Sequence, residues 1–259
     1  MKKKKKIVLL AIFIFFLCFC LYFISINKNI SKFAPGDKTN QIEETKKYGD
    51  TIIGWLTVEG TNIDLPLVKD TATADVPERE YNNAWVYSSP DSRSNHVSFV
   101  SHNIRNVSKH PIVGDTTMTG FEQLMSFIYK DFTAKNQYIA YTNEKGNTDI
   151  YRIYAVALLK NNQSAAFKDT YTESEQDKYI KESINESMFD IDVSVNKTDK
   201  LLSLMTCTRF YGGNDSYTFR VDARKLRFKE KQKLAKVKTN KNYEKINNIL
   251  EEGVTDEEI

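Results

Sequence analysis

The chain is divided into many short apolar segments, and this division limits the folds open to it. The segments are rich in β-branched and aromatic residues and are bounded by turn residues, which is the pattern of β-strands. Strands and helices do not alternate regularly, so the pattern excludes a doubly wound parallel sheet and favours a mostly β fold, a mixed or antiparallel barrel with a few helices. Strands are predicted at residues 51–60, 61–68, 84–87, 97–101, 137–141, 149–159, 201–206 and 217–228, and helices at 39–48, 119–129 and 173–187.

The N-terminus predicts a membrane anchor. Residues 1–6 are Met1 and five lysines, and residues 7–26 form an uncharged apolar run. A helix needs about 20 such residues to cross a bilayer, and the lysines are expected to stay on the cytoplasmic side. The alternative is a cleaved signal peptide, but no small-residue cleavage site follows the run. We therefore expect a single-pass anchor with the rest of the chain outside the cell membrane.

Composition divides the remainder into three parts. Residues 27–40 are polar, contain Pro35 and Gly36, and predict a linker; residues 41–228 form the external domain. Residues 229–259 are highly charged, which predicts a C-terminal tail that is a solvated helix or a disordered extension. The net charge of +3 is small, and the basic residues are concentrated at the two ends, so a nucleic-acid partner is not expected.

Cysteine usage directs attention to one thiol. Cys18 and Cys20 lie within the apolar run, so Cys207 is the only cysteine of the external domain. A lone thiol in an exported domain is a candidate reactive group, and the alternative is a buried structural cysteine. Cys207 follows the apolar segment 201–206, where a strand would end and the thiol could act as a nucleophile.

Three histidines and two arginines could assist such a nucleophile. His96 and His110 stand among polar residues and are predicted to be solvated, whereas His102 ends an apolar segment and could project into a groove. Arg209 follows Cys207 closely, and Arg220 lies on the next predicted strand. Either guanidinium could donate hydrogen bonds to an oxyanion, and Arg220 could equally be a surface residue of an alternating strand.

Three segments together resemble the sortase family. The sequence Ser203-Leu-Met-Thr-Cys207 is similar to the sortase motif Thr-Leu-x-Thr-Cys, and Phe99-Val-Ser-His-Asn103 resembles the segment around the sortase histidine. Residues 50–68 are similar to the opening of class B sortases, and the long loop and helix at 161–187 also fit class B. The resemblance implies a closed mixed β-barrel with an N-terminal helix and with a helix and loop before the cysteine strand.

The resemblance also implies a chemistry without metal or cofactor. Cys207 would attack a sorting motif near the C-terminus of a secreted protein and form a thioester, with His102 as the acid and base and Arg220 at the oxyanion. Contacts with the substrate or the oxyanion are expected from the neighbouring positions Asn103, Ser203, Thr206 and Arg209. One departure is that the arginine position of the family falls on Thr218, two residues before Arg220.

The resemblance leaves the acceptor open. The amine that resolves the thioester would come from a peptidoglycan precursor of a Gram-positive cell wall, or from a pilin lysine, since residues 208–217 look closest to class B-type enzymes of pilus loci. Two other hypotheses are a cysteine hydrolase that uses water and a non-catalytic surface-binding module on a membrane stalk.

Overall fold

The computed structural model describes residues 12–22, 30–47, 52–69, 84–86, 94–101, 103, 120–160, 170–208, 217–241 and 243. Ten strands lie in these ranges. They are β1 (Ile52–Val58), β2 (Asp64–Val68), β3 (Ala84–Val86), β4 (His96–Val100), β5 (Tyr138–Asn143), β6 (Thr148–Lys160), β7 (Phe189–Ile191), β8 (Leu201–Thr208), β9 (Tyr217–Lys225) and β10 (Val237–Thr239). Apart from the helical segment 12–22, the helices in these ranges are α1 (Thr39–Lys46), a 3₁₀ helix (Glu122–Ile128), α2 (Lys130–Lys135) and α3 (Glu173–Glu186).

Eight of these strands form one mixed sheet in the order β1-β2-β3-β4-β8-β9-β6-β5. The order closes on itself because β1 pairs antiparallel with both β2 and β5. Two pairings are parallel, β2 with β3 and β4 with β8. The prediction of a mostly β fold with a few helices is confirmed, and the parallel β4–β8 pair is the feature that positions the candidate site.

The strand side chains alternate between two environments. Leu202 and Leu204 of β8 pack into the main core together with Val221 of β9, as expected when successive side chains point to opposite faces of a sheet. Leu201 instead joins a second apolar cluster that includes Tyr179 of α3. Helix α3 therefore covers the outer face of the sheet at β8 and β9.

Helix α3 begins at a capping box that the sequence reading missed. The Thr172 hydroxyl accepts from the Glu175 backbone N–H, and the Glu175 carboxylate accepts from the Thr172 N–H at 2.9 Å. The helix predicted at 119–129 is a 3₁₀ helix, and Tyr129, which is extended at φ −88° and ψ 118°, separates it from α2.

The start of the predicted tail is part of the folded domain. Its interpretation as a solvated helix or disordered extension is wrong for residues 229–241, which we call the C-terminal strap. Strand β10 of the strap pairs with β7. The Gln137 side chain bonds both the carbonyl and the N–H of Ala235, at 2.9 and 2.6 Å, and the Tyr138 hydroxyl donates to the Lys233 carbonyl at 2.7 Å. Backbone pairing thus orders a segment whose lysine side chains are exposed to water.

Residues 12–22, within the predicted anchor, are helical, and most of their large apolar side chains are exposed. Among the described stretches, no helix is both long and apolar enough to cross a bilayer. The rest of residues 7–26 lies outside the description, so the anchor stays a prediction.

Candidate active site

Cys207 lies near the end of β8 and is exposed, whereas the other residues of that strand are buried. It carries a thiol and is not part of a disulfide. In the antiparallel β8–β9 pair, Cys207 stands opposite Thr218 and Met205 stands opposite Arg220. Side chains directly opposite each other have Cβ atoms about 4.5–5.5 Å apart, and diagonal neighbours are about 7–8 Å apart. Thr218 is therefore the cross-strand neighbour of the thiol, and Arg220 lies one row away on the same face.

The parallel β4–β8 pair brings the end of β4 to the same place. Val100 is in register with Met205, and the Ser101 N–H donates to the Met205 carbonyl at 3.3 Å. The Thr206 hydroxyl donates to the Ser101 carbonyl at 2.9 Å, and the Asn103 side-chain amide donates to the Cys207 carbonyl at 3.2 Å. His102 itself lies outside the described residues. Its two chain neighbours, however, are both bonded to the strand of the nucleophile.

The guanidinium of Arg220 is held by two carboxylates. Its Nε donates to Asp222 at 2.7 Å, and its Nη2 donates to Glu186 of α3 at 2.8 Å and to Ser183 at 3.4 Å. The side chain is 2% exposed. Burial lowers the pKa of this guanidinium, but Asp222, Tyr179 and Glu186 raise it more, and the net shift is upward. Arg220 is thus a charged tie between helix α3 and strand β9.

Asp222 extends the buried hydrogen-bond network around Arg220. Its Oδ1 accepts from the Ser203 hydroxyl at 2.5 Å and from the Tyr179 hydroxyl at 2.8 Å, and its side chain is fully buried. Ser203 Oγ lies 2.8 Å from His96 Nε2. Because the single Ser203 proton goes to Asp222, the His96 Nε2 is assigned as the donor of that bond. One buried network therefore joins β4, β8, β9 and α3.

The location of His96 corrects the sequence interpretation. His96 was predicted to be solvated, but it is the first residue of β4 and is 0% exposed. Burial lowers its pKa to about 4, against the raising effect of Asp222. A buried neutral imidazole that bonds a serine is a structural part of the network, remote from solvent.

The structure separates the other predicted site residues. Ser203 is fully buried and bonded within the network, and Thr206 is 1% exposed with its hydroxyl directed to β4, so neither side chain lines an open groove. Asn103 does contact the strand of the nucleophile. Arg209 and His110 lie outside the described residues. The sequence reading missed Asp222 and Glu186, and the only signal for Asp222 was its place two residues after Arg220 on the same strand face.

Within the described ranges, no group of three or more His, Cys, Asp or Glu side chains could hold a metal ion.

Comparison with known proteins gives consistent relatives, although no protein-family model matches the chain. The chain is 27% identical to sortase B of Staphylococcus aureus over 177 residues, which cover 66% of this chain and 69% of that protein. The X-ray structure of Clostridium perfringens sortase B aligns with a TM-score of 0.57 and 21% identity, covering 71% of this chain and 99% of that one. The 2.0 Å crystal structure of Staphylococcus aureus sortase B aligns with a TM-score of 0.58 and 18% identity, covering 82% and 95%.

Proposed function

Because the chain belongs to the class B sortases and is a cysteine transpeptidase of that kind, we propose that it cleaves a C-terminal sorting motif of secreted proteins and transfers the acyl group to an amine of the cell wall. The observation that supports this proposal most directly is the bonding of Ser101 and Asn103 to the Cys207 strand. Position 102 lies between these two contacts. An imidazole there would be next to an exposed thiol.

The proposed reaction has two acyl transfers. The Cys207 thiolate attacks the carbonyl carbon of the scissile bond, the C–N bond breaks, and protonated His102 gives its proton to the leaving amine. The product of this half is a thioester. An incoming amine then attacks the thioester, loses a proton to His102, and expels the thiolate, so that a new amide forms and the enzyme is regenerated.

The proposal assigns oxyanion stabilisation to Arg220 acting through Nη1. Nε and Nη2 are committed to Asp222 and Glu186, and the described residues provide no acceptor for Nη1. Such a donor is effective only if it is held in place before the reaction, and the two carboxylates hold it. The alternative is Arg209. Conservative variants Arg220→Lys and Arg209→Lys separate them, and a larger loss of kcat in the second would exclude Arg220.

The substrate and the acceptor are proposed from the chemistry of relatives. Structures of sortase B have been solved as a substrate complex for the Staphylococcus aureus protein and as a complex with triglycine. We propose a sorting-motif peptide as the donor and an amine of a peptidoglycan precursor as the acceptor, with a pilin lysine as the second candidate. We also propose that residues 7–26 anchor the enzyme in the cell membrane with its domain on the outer side.

The decisive experiment is peptide turnover by the full chain. The wild type is expected to cleave a sorting peptide and, when an amine is added, to form a ligated product. Cys207→Ala should abolish both reactions, because no other thiol is available outside residues 7–26. Cleavage without ligation under any amine would identify a hydrolase instead, and full turnover by Cys207→Ala would contradict the mechanism.

Two further measurements separate the remaining hypotheses. Mass analysis of products formed with a panel of wall-derived amines and lysine peptides distinguishes wall anchoring from pilin polymerisation. The rate of Cys207 alkylation as a function of pH tests for a non-catalytic binding module. An active-site thiol should react faster than a model thiol at neutral pH, whereas equal rates would favour the binding module.

A further inference from the structure

The C-terminal strap carries exposed lysines beside the linker that follows the proposed anchor. Lys229, Lys231 and Lys233 of the strap are exposed, as is Lys32 of the linker. None of these four forms a salt bridge with any residue in the described ranges. We call these lysines, together with Phe228, the basic patch.

Hydrogen bonds fix the linker against the strap. The Ser31 N–H donates to the Gln232 carbonyl at 2.9 Å, and Ile30 forms a β-bridge with Lys233. The Ser31 hydroxyl donates to Glu59 at 2.5 Å, which ties the same point to the end of β1. Lys231 and Lys233 flank the bonded Gln232, and Lys32 follows the bonded Ser31. The lysines therefore gather at the place where the chain enters the domain.

The length of chain before this point limits its distance from the membrane. The proposed anchor ends at Ile26, and Ile30 is the first linker residue that the bridge holds. An extended chain covers at most about 3.3–3.6 Å per residue, so these four residues span at most about 14 Å. An interaction with surface charge falls off over a Debye length of about 8 Å at physiological ionic strength. Extended lysine side chains close most of the remaining gap.

Acidic side chains near the patch are engaged within the protein. Glu230 binds Arg224 through both oxygens at 2.6 and 2.7 Å, and Glu59 accepts from Ser31 and from the backbone of Gln137. Phe228 stands in the turn before the strap and is 91% exposed, and the Lys229 Nζ lies 5.1 Å from its ring centre. An exposed aromatic ring among lysines suits the boundary of a membrane, where the ring enters the headgroup layer and the ammonium groups meet phosphate.

We propose that the basic patch docks the catalytic domain onto anionic phospholipid of the membrane that holds its anchor. The inference rests on the anchor of the proposed function and adds an orientation to it. Arg224 is bonded to Glu230 of the strap and is in register with Leu201 of β8. Cys207 lies six residue steps further along β8, which is about 20 Å at the rise of a strand. With the patch on the lipid, the thiol is directed away from the bilayer.

The occupant is a lipid surface rather than a soluble polyanion because of the short linker. The linker holds the four lysines near the headgroups continuously, so the local concentration of lipid phosphate greatly exceeds that of any untethered polymer. Each lysine near an anionic surface should strengthen docking roughly fivefold. Docking should therefore depend on lipid charge, on salt and on these lysines together.

The test uses the full chain in two kinds of vesicle, one of phosphatidylcholine alone and one that also contains phosphatidylglycerol. Phe228→Trp adds a fluorescent reporter, and brominated phosphatidylcholine quenches an indole that enters the lipid. The patch variant replaces Lys32, Lys229, Lys231 and Lys233 with Gln. The matched control replaces the exposed residues Lys69, Lys145, Lys178 and Lys181 with Gln.

We expect the added Trp to be quenched in anionic vesicles, at least about tenfold less docking in the patch variant, and an unchanged signal in the control variant. High salt should release the domain. Equal quenching in neutral and anionic vesicles, or in the patch and control variants, would overturn the proposal. If added polyphosphate abolishes the quenching at equal ionic strength, the proposal is also overturned, because the patch would then be a binding site for a soluble polyanion. Flotation with both vesicles tests the anchor separately, and peptide turnover in detergent tests the enzyme separately.

Discussion

The buried carboxylate of Asp222 offers the sharpest test of the site architecture. Asp222→Asn keeps the shape of the side chain but removes the charge that faces the Arg220 guanidinium. The carboxylate accepts from Arg220 at 2.7 Å, from Tyr179 at 2.8 Å and from Ser203 at 2.5 Å, and it is fully buried. An Asn side chain has one acceptor oxygen, so its NH₂ group must face one of these three donors.

Breaking a buried ion pair from one side usually costs about 3–5 kcal/mol. Glu186 still faces Arg220, so we expect Asp222→Asn to lower the free energy of unfolding by about 3 kcal/mol, the lower end of that range. We also expect kcat for peptide cleavage to fall with little change in KM, because the guanidinium is then held less firmly in the row beside Cys207.

Chemical denaturation of the full chain, followed by circular dichroism, measures the first effect, and peptide turnover under conditions where the variant is folded measures the second. Glu182→Gln is the matched control, since Glu182 lies on the same helix as Glu186 and its carboxylate is 3.7 Å from the Lys178 ammonium on the surface. Such exposed pairs contribute about 0–1 kcal/mol. If Asp222→Asn costs no more than Glu182→Gln, the network does not stabilise the site and the reasoning fails.

Three more outcomes follow from the same structure. The pKa of His96 is about 4 in the folded protein, against 6.5 ordinarily, so between pH 6.5 and 4 the unfolded chain binds a proton at His96 that the folded chain does not. The free energy of unfolding should therefore drop by roughly 3 kcal/mol over this range. An equally steep drop in His96→Gln would contradict the assignment of the effect to His96. Gly54→Ala should lower the free energy of unfolding by about 1–3 kcal/mol, because φ is +155° and the added Cβ would lie 2.2 Å from the Thr142 carbonyl oxygen. The control is Gly36→Ala, where φ is also positive but nothing lies within 4 Å of the added Cβ. An equal loss of stability in both variants would refute the clash. Thr218→Val removes the hydroxyl of the residue opposite Cys207 and should lower kcat roughly five- to tenfold, the equivalent of one hydrogen bond. Thr218→Ser keeps a hydroxyl and should retain activity. Equal kcat in the two variants would show that the hydroxyl does not contribute to catalysis.

The sequence predicted the elements whose pattern is local. The strand that carries Cys207 near its end was recognisable because its apolar run is bounded by polar residues. The register places Arg220 on the same strand face as Cys207. The 3₁₀ helix was read as one α-helix because its apolar spacing is helical, whereas Tyr129 adopts an extended conformation that spacing does not reveal.

The features that the sequence did not predict depend on distant partners. His96 was assigned to solvent because its neighbours are polar, yet Ser203, 107 residues away, accepts its hydrogen bond. The strap was assigned to solvent because of its lysines, yet its backbone is ordered by Gln137, 98 residues away from Ala235. In both cases the decisive contact is made by a residue that no local window contains.

The parallel pairing of β4 with β8 has a consequence for when the protein becomes active. The two strands are joined by contacts 105 residues apart in the chain, and such pairings form slowly because a long loop must close first. Synthesis delivers β4 well before β8, so the first half of the domain emerges without its thiol. Catalytic competence therefore arises only once the second half has been made and has inserted its strand, and the onset of thiol reactivity in a refolding experiment would time that insertion.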